Sequence, residues 1–220
     1  MEIILAAAYL LPILILMAFI GKMGKRYILY LFWGFLASIP VLLLYPVIIQ
    51  WMPSIPYPSV TVSPLLEEFF KALPIIIPAL IGIRNSDEDL LVCAMASGVG
   101  FSIIENWTLL DPVTLELTLG NFLGLLARSF STSLMHGCMC GIIGYGIVLT
   151  RNADRRALPA LLFGFYTLSV TSHSLYNLLA DYFGEAGIIV DLVFPVLLFL
   201  LLLTCYHVDI PALYRKSGSS

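Results

Sequence analysis

Five Glu and His side chains lie inside apolar stretches of this sequence, which also contain Lys71, Arg128 and Asp191. The five are Glu67, Glu68, Glu105, His136 and His173. Charged groups within a hydrocarbon layer are costly unless they are paired or hydrated, so each one is a functional candidate. Carboxylates and imidazoles can activate a water molecule by general base catalysis, and both are ligands for zinc. These residue types therefore predict a hydrolytic site, either free of metal or built around zinc.

Helical spacing gives these residues neighbours on the same helix face. Side chains four positions apart are Glu67 with Lys71, Phe101 with Glu105, and His173 with Asn177. Because i and i+4 positions are adjacent on a helix surface, we expect Lys71 to hold Glu67 ionised and Asn177 to orient or assist His173. Phe101 and Asn106 are expected to support the site around Glu105.

Composition places these residues in a membrane protein. The 220 residues are 60% apolar and only 11% charged, and the mean hydropathy is +0.98. A soluble domain of this length could not bury so much apolar surface in one core. The net charge of −3, with no basic run, excludes a nucleic-acid partner. We therefore expect an all-α, polytopic helix bundle with the lipid bilayer as solvent.

Seven stretches are long and apolar enough to be transmembrane helices, since a span needs about 20 residues. They cover residues 3–20, 27–50, 63–82, 90–109, 121–149, 157–180 and 186–206. The fifth is long, and its first turns, 117–128, could instead form an interfacial or re-entrant segment. The sequence predicts one domain, 1–216, with a chemical core at 63–180, and a terminal tail or expression remnant at 217–220.

The distribution of basic residues predicts the orientation. Nine of the eleven Lys and Arg residues fall in alternate loops and after the last span, and the opposite loops contain none. Because short cytoplasmic loops carry the excess of basic residues, the N-terminus is expected outside and the C-terminus in the cytoplasm. The protein is accordingly predicted to be a multi-pass protein of the plasma membrane.

Depth in the bilayer then groups the candidate residues. At 1.5 Å per residue, Glu67 and Glu68 lie about 6–8 Å below the outer boundary, and Glu105 lies at a similar depth. His173 lies about 10 Å down, and His136 about 12 Å down if its span begins near Arg128. Four helices thus bring carboxylates and imidazoles to one layer of the outer leaflet.

Small residues and prolines predict how these helices meet. Small residues in the fourth and fifth spans are Ala94, Ser97, Gly98, Gly100, Gly137, Gly141 and Gly144. They let helix backbones approach closely. Pro74 and Pro78 interrupt the third span below the acidic pair and are expected to kink it, freeing carbonyl groups toward a cavity.

Four short motifs resemble those of a known family. They are Glu67 to Lys71 (EEFFK), Gly100 to Asn106 (GFSIIEN), His136 followed by Gly141 and Gly144, and His173 to Asn177 (HSLYN). In this order they resemble the PrsW family of intramembrane proteases, which is similar to the wider CPBP group with its CAAX prenyl endopeptidases. The wider group usually has His in the second motif, where this chain has Glu105, as PrsW-like sequences do.

The resemblance implies an enzyme that cleaves membrane-anchored proteins near the extracytoplasmic face, with first-step cleavage of an anti-sigma factor as one such reaction. Two mechanisms stay open. In a metal-free mechanism Glu67 is the base, a histidine shares the water, and His173 with Asn177 stabilises the oxyanion. In a zinc mechanism His136, His173 and Glu105 bind the metal, and Glu67 or Glu68 is the base.

Two other functions also fit intramembrane Glu and His residues. A proton- or solute-coupled transporter would show internal repeats and polar groups near the bilayer midplane, and neither feature is apparent. An inactive relative that binds membrane helices would keep the motifs without the chemistry. The oligomeric state is left open by the sequence.

Overall fold

Helices form every regular element in the described part of the chain. The computed structural model describes residues 24–82, 87–108, 118–150, 156–183 and 187–217. The helices are α1 Gly24–Trp51, α2 Pro58–Thr61, α3 Ser63–Ile81, α4 Asp87–Thr108, α5 Leu119–Leu149, α6 Leu158–Phe183 and α7 Gly187–Ser217. The all-α prediction is confirmed. The described residues hold six long helices rather than seven, because the predicted span 3–20 lies outside them.

Length and composition identify helices that could cross a membrane. Within the described residues, three are long and apolar enough: Gly24–Trp51, Leu90–Thr108 and Phe122–Leu149. Asp191–His207 is apolar but shorter. Helix α3 contains three charged residues, Glu67, Glu68 and Lys71. The chain is thus a membrane protein, and the long fifth element is one continuous helix from Leu119 to Leu149 without a re-entrant break.

Helix α5 lies at the centre of the bundle. In its apolar stretch 78% of the residues are buried, against 22% in α1. Helices α4, α6 and α7 pack around α5, whereas α1 packs on α4 and α3 from outside. Helix α3 also contacts α6. Because α3 touches α4, α5 and α6 at once, its side chains can meet those of three other helices.

Glycines bring the backbones of α1, α4 and α5 into direct contact. A Cβ atom on Gly98 would overlap the backbone carbonyl of His136, and one on Gly34 would overlap that of Ser97. A Cβ on Gly100 would meet the backbone of Leu31 in the same way. The prediction of close helix approach at small residues is confirmed for α4 and α5. The contact at His136 matters most, because it sets how near α4 lies to a candidate site residue.

We predict that Gly98→Ala destabilises the protein, because the added methyl group has to push the α5 backbone away at His136. Overpacking of this kind costs about 1–3 kcal/mol. Gly164→Ala on α6 is the matched control, since a Cβ there meets nothing within 4 Å. Thermal unfolding in detergent should show a lower midpoint for Gly98→Ala only. Equal midpoints for both variants would contradict the close α4–α5 contact.

Candidate active site

Three charged residues of α3 lie in the interior of the bundle. Glu67 is 6% exposed, and Glu68 and Lys71 are fully buried. Adjacent residues on an α-helix point about 100° apart. Glu67 and Glu68 therefore contact different neighbours, and the structure separates their surroundings clearly.

Three donors surround the Glu68 carboxylate. Its Oε1 atom accepts hydrogen bonds from Lys71 Nζ at 2.7 Å and from His173 Nδ1 at 2.7 Å. Its Oε2 atom accepts one from the Ser169 hydroxyl at 3.1 Å. The predicted pairing of Lys71 with Glu67 is wrong: Lys71 pairs with Glu68 at i and i+3. The reason is that His173 and Ser169 of α6 gather on Glu68, where the ammonium completes the cluster.

His136 of α5 is held from both edges of its ring. Its Nε2 atom contacts Glu105 Oε2 of α4, and its Nδ1 atom lies 2.7 Å from Lys71 Nζ. A carboxylate only accepts hydrogen bonds and an ammonium group only donates them. His136 therefore donates from Nε2 to Glu105, and its Nδ1 lone pair accepts from Lys71. His173 has the opposite tautomer, because Nδ1 donates to Glu68 and Nε2 keeps the lone pair.

Glu67 differs from the other carboxylates because one of its oxygens has no hydrogen bond. Oε1 accepts from the Ser63 hydroxyl at 2.5 Å. Oε2 is buried and has no hydrogen-bond partner among the described residues. It lies 3.8 Å from His173 Nε2 and 4.0 Å from His136 Nδ1. Within the described part of the chain, Glu67 Oε2 is thus a buried acceptor without a donor, beside the free lone pair of His173 Nε2 and beside His136 Nδ1, which accepts from Lys71.

These three side chains suit a divalent metal ion. The ligand atoms of Glu67, His136 and His173 all lie within 4.8 Å of one another. Tetrahedral zinc bonds place ligand atoms about 3.3–3.5 Å apart, so a small inward shift would suffice. When Glu67, Glu68 and Glu105 are ionised, Lys71 neutralises one of the three negative charges. A divalent cation would balance the other two. The donor set and the charge therefore fit a metal ion once the Lys71 ammonium moves away from His136 Nδ1, which it contacts at 2.7 Å.

Sequence reasoning predicted Glu105 as the carboxylate ligand of a metal bound by the two histidines. In the structure the carboxylate that lies with both histidines is Glu67. Glu105 contacts His136 on the edge of the ring opposite to Nδ1, which is the atom nearest Glu67. Glu68 likewise contacts His173 at Nδ1, whereas Glu67 lies nearest to Nε2 of that ring. Carboxylates that bond the far nitrogen of a metal-binding histidine orient its ring. In this geometry Glu68 and Glu105 are orienting groups for the two imidazoles.

Lys71 and Phe101 complete the interior of the cluster. Lys71 Nζ lies 4.8 Å from the centroid of the Phe101 ring, which is close enough for a cation–π contact. The Phe101 ring also lies 5.3 Å from the His136 ring, between centroids. Phe101 is thus beside the site, as predicted. Asn106 is buried, and its Oδ1 has no hydrogen-bond partner among the described residues.

Asn177 does not orient His173. Its Nδ2 atom donates to the backbone carbonyl of Ser59 at 3.0 Å, which ties α6 to the short helix α2. Glu68 takes the orienting role instead. Sequence neighbours at i and i+4 share a helix face, but a tertiary contact decides which partner each side chain meets.

Two serines of the site were missed by sequence reasoning. Ser63 donates to Glu67, and the single hydroxyl proton of Ser169 is shared between Glu68 Oε2 at 3.1 Å and the backbone carbonyl of Met139 at 2.9 Å. Each serine lies four residues before a candidate residue, Ser63 before Glu67 and Ser169 before His173. The same helical spacing that suggested Lys71 and Asn177 could have identified them.

Comparison with protein families gives one match. The model of the PrsW family intramembrane metalloproteases matches residues 24–204 of this chain. Neither the curated proteins nor the solved structures contain a significant match. The family match covers most of the chain and includes every helix that contributes to the cluster. This chain is therefore a member of the PrsW family of intramembrane metalloproteases.

Proposed function

We propose that the chain is an intramembrane endopeptidase whose reaction centre is formed by Glu67, His136 and His173. One observation carries the proposal: Glu67 Oε2 is buried without a hydrogen bond and faces both imidazoles at 3.8 and 4.0 Å. Both rings are held by other carboxylates, which leaves His173 Nε2 unprotonated beside Glu67 and His136 Nδ1 unprotonated between Glu67 and Lys71. Preorganised bases at a buried centre are what peptide hydrolysis requires.

Exposure supports an approach to the centre from the side of Glu105. The Glu105 side chain is 30% exposed, whereas those of Glu67 and Glu68 are 8% and 0% exposed. Water and a scissile peptide bond would reach the centre along this carboxylate. Glu105 contacts His136 through Oε2, on the ring edge turned away from Glu67, so we assign it to orienting the ring rather than to accepting a proton from the attacking water.

In the metal-dependent mechanism, Glu67, His136 and His173 would hold the ion. A divalent metal supplies a Lewis acid and lowers the pKa of bound water. Glu68 and Glu105 would fix the tautomers of the two histidines, which keeps His173 Nε2 and His136 Nδ1 unprotonated. The family description as metalloproteases supports this mechanism.

The position of Lys71 favours a metal-free alternative. Its ammonium group already lies 2.7 Å from His136 Nδ1, the lone pair that a metal would need. In that mechanism Glu67 is the base, His173 Nε2 shares the water, and the Lys71 charge stabilises the developing oxyanion. Glutamate-type catalysis of this kind is what the CPBP resemblance implies.

The substrate in this proposal is a membrane-anchored protein. Alternating basic loops support an orientation with the N-terminus outside, and the cluster then lies in the outer leaflet of the plasma membrane. Cleavage would fall near the extracytoplasmic face, as in the first cut of an anti-sigma factor. Membership of a protease family favours this function over a transporter.

We predict that Glu67→Gln and His173→Ala each lower cleavage of a co-expressed, tagged single-span protein by about 10²–10⁴-fold, the usual contribution of a general base. Each variant removes one of the two groups that face each other at 3.8 Å. His207→Ala is the matched control, because His207 is exposed and bonds only its own helix at Leu203 among the described residues. Immunoblots measure product and enzyme together. Undiminished cleavage by both site variants, at normal protein level, would refute the proposal.

Metal content separates the two mechanisms. If the site is metal-dependent, protein purified without chelators should hold a single divalent ion per chain, measured by plasma mass spectrometry. Glu67→Ala and His173→Ala should lose that ion, and His207→Ala should retain it. Wild-type protein that is stripped by a chelator, holds no ion and still cleaves at full rate would exclude the metal-dependent mechanism and leave the glutamate mechanism.

A further inference from the structure

Two prolines leave two carbonyl groups of α3 without helical partners. Pro74 has no N–H to donate to the carbonyl of Phe70, and Pro78 has none for the carbonyl of Pro74. In the hydrocarbon region water does not replace such a bond, so an orphaned carbonyl is costly. The structure shows where both of these carbonyls find donors.

Helix α1 supplies both donors. The indole Nε1 of Trp33 donates to the Phe70 carbonyl at 3.0 Å, and the Tyr30 hydroxyl donates to the Pro74 carbonyl at 3.3 Å. Tyr30 and Trp33 are three residues apart and therefore lie on one face of α1. The freed carbonyls were expected to face a cavity, and this expectation is wrong: they face α1.

The Trp33 contact lies next to the charged residues of α3. Phe70 directly precedes Lys71 and follows Glu68 by two positions. Two other helices hold the same segment: the Ser97 hydroxyl of α4 donates to the Lys71 carbonyl at 2.8 Å, and the Tyr166 hydroxyl of α6 donates to the Leu65 carbonyl at 2.7 Å. The backbone that carries the cluster is thus held from three sides.

The same device occurs elsewhere in the described chain. Pro195 of α7 lacks the N–H that would bond the Asp191 carbonyl, and the Ser131 hydroxyl of α5 donates to that carbonyl instead. A proline-freed carbonyl that accepts from a neighbouring helix is therefore a recurrent helix-to-helix connection in this bundle.

We propose that Trp33 is a positioning residue for the reaction centre. Its bond to the carbonyl freed by Pro74 sets the rotation and height of α3 against α1. It thereby sets the position of Glu67 and Glu68 relative to His136 and His173. The effect on catalysis rests on the proposed protease function, but the effect on the histidines does not.

Histidine NMR tests this inference without any substrate. The chain has three histidines, so ring-nitrogen signals of labelled protein in detergent can be assigned one by one. In Trp33→Phe the signals of His136 and His173 should shift, because their bonds to Glu105, Lys71 and Glu68 change. The His207 signal should stay in place. Trp51→Phe, at an indole that is 82% exposed at the end of the same helix, should shift none of them.

A double-mutant cycle tests the hydrogen bond itself. Pro74→Ala restores a backbone N–H for the Phe70 carbonyl, so Trp33→Phe should lower the thermal midpoint in the natural chain by more than in the Pro74→Ala chain. Strictly additive shifts would overturn the assigned bond. Unchanged His136 and His173 signals in Trp33→Phe would overturn the positioning role.

The effect of Trp33 on catalysis is tested by kinetics, independently of the NMR experiment. Trp33→Phe should lower kcat by roughly ten- to a hundredfold with KM nearly unchanged, since misplacement of a catalytic group acts on the chemical step. Normal kcat together with shifted histidine signals would overturn the link to catalysis. Absence of cleavage by the wild-type protein would instead refute the proposed function, with the NMR result still deciding the positioning of α3.

Discussion

The buried carboxylate of Glu68 is the interaction on which the arrangement of the site depends. A fully buried charge persists only when opposite charge and hydrogen bonds satisfy it. Glu68 meets this need with Lys71, His173 and Ser169. Lys71 then reaches His136, which bonds Glu105. The result is a continuous chain of hydrogen bonds across four helices, from Glu105 through His136, Lys71 and Glu68 to His173.

Glu67 lies beside this chain rather than within it. Apart from the Ser63 hydroxyl, its carboxylate has no hydrogen-bond donor among the described residues. A buried acceptor left unsatisfied beside such a network is costly to stability, and a cost of this kind is typical of a reactive or ligand-binding group. The network orients two imidazoles, and in the proposed function the reactive carboxylate is Glu67. The two proposed mechanisms differ in the position of Lys71. A metal ion needs His136 Nδ1, so Lys71 has to move away from that atom, whereas in the metal-free mechanism Lys71 stays there.

The helices can support such a network because their backbones approach closely. Gly98 places α4 directly against the His136 backbone, and Gly34 places α1 against α4. Prolines add a second kind of connection, since the carbonyls that they free need donors from other helices. Trp33 provides one between α1 and α3, and Ser131 provides one between α5 and α7. Small residues thus allow the close approach of the helices, and proline-freed carbonyls add hydrogen bonds between them, which we propose fix the rotation of α3.

Composition and spacing were enough to predict an all-helical membrane protein and to single out most of the polar residues that meet in its interior. Apolar length sets where helices run, and an ionisable residue inside them is rare enough to indicate function by itself. Glu67, Glu68, His136 and His173 were identified in this way, and the structure brings them together with Glu105. The predicted first span, 3–20, and the single domain 1–216 stay predictions, as does the orientation in the membrane.

Only the tertiary structure decided which partner each side chain has. Lys71 could reach Glu67 or Glu68 by helical geometry alone, and Asn177 could have assisted His173. In the structure both Lys71 and His173 contact Glu68, because α6 brings His173 and Ser169 to that carboxylate. Asn177 contacts Ser59 instead. Helical spacing defines which residues share a face, whereas the rotation and approach of neighbouring helices depend on packing along their whole length. Those packing contacts join residues far apart in the chain, and no local pattern encodes them.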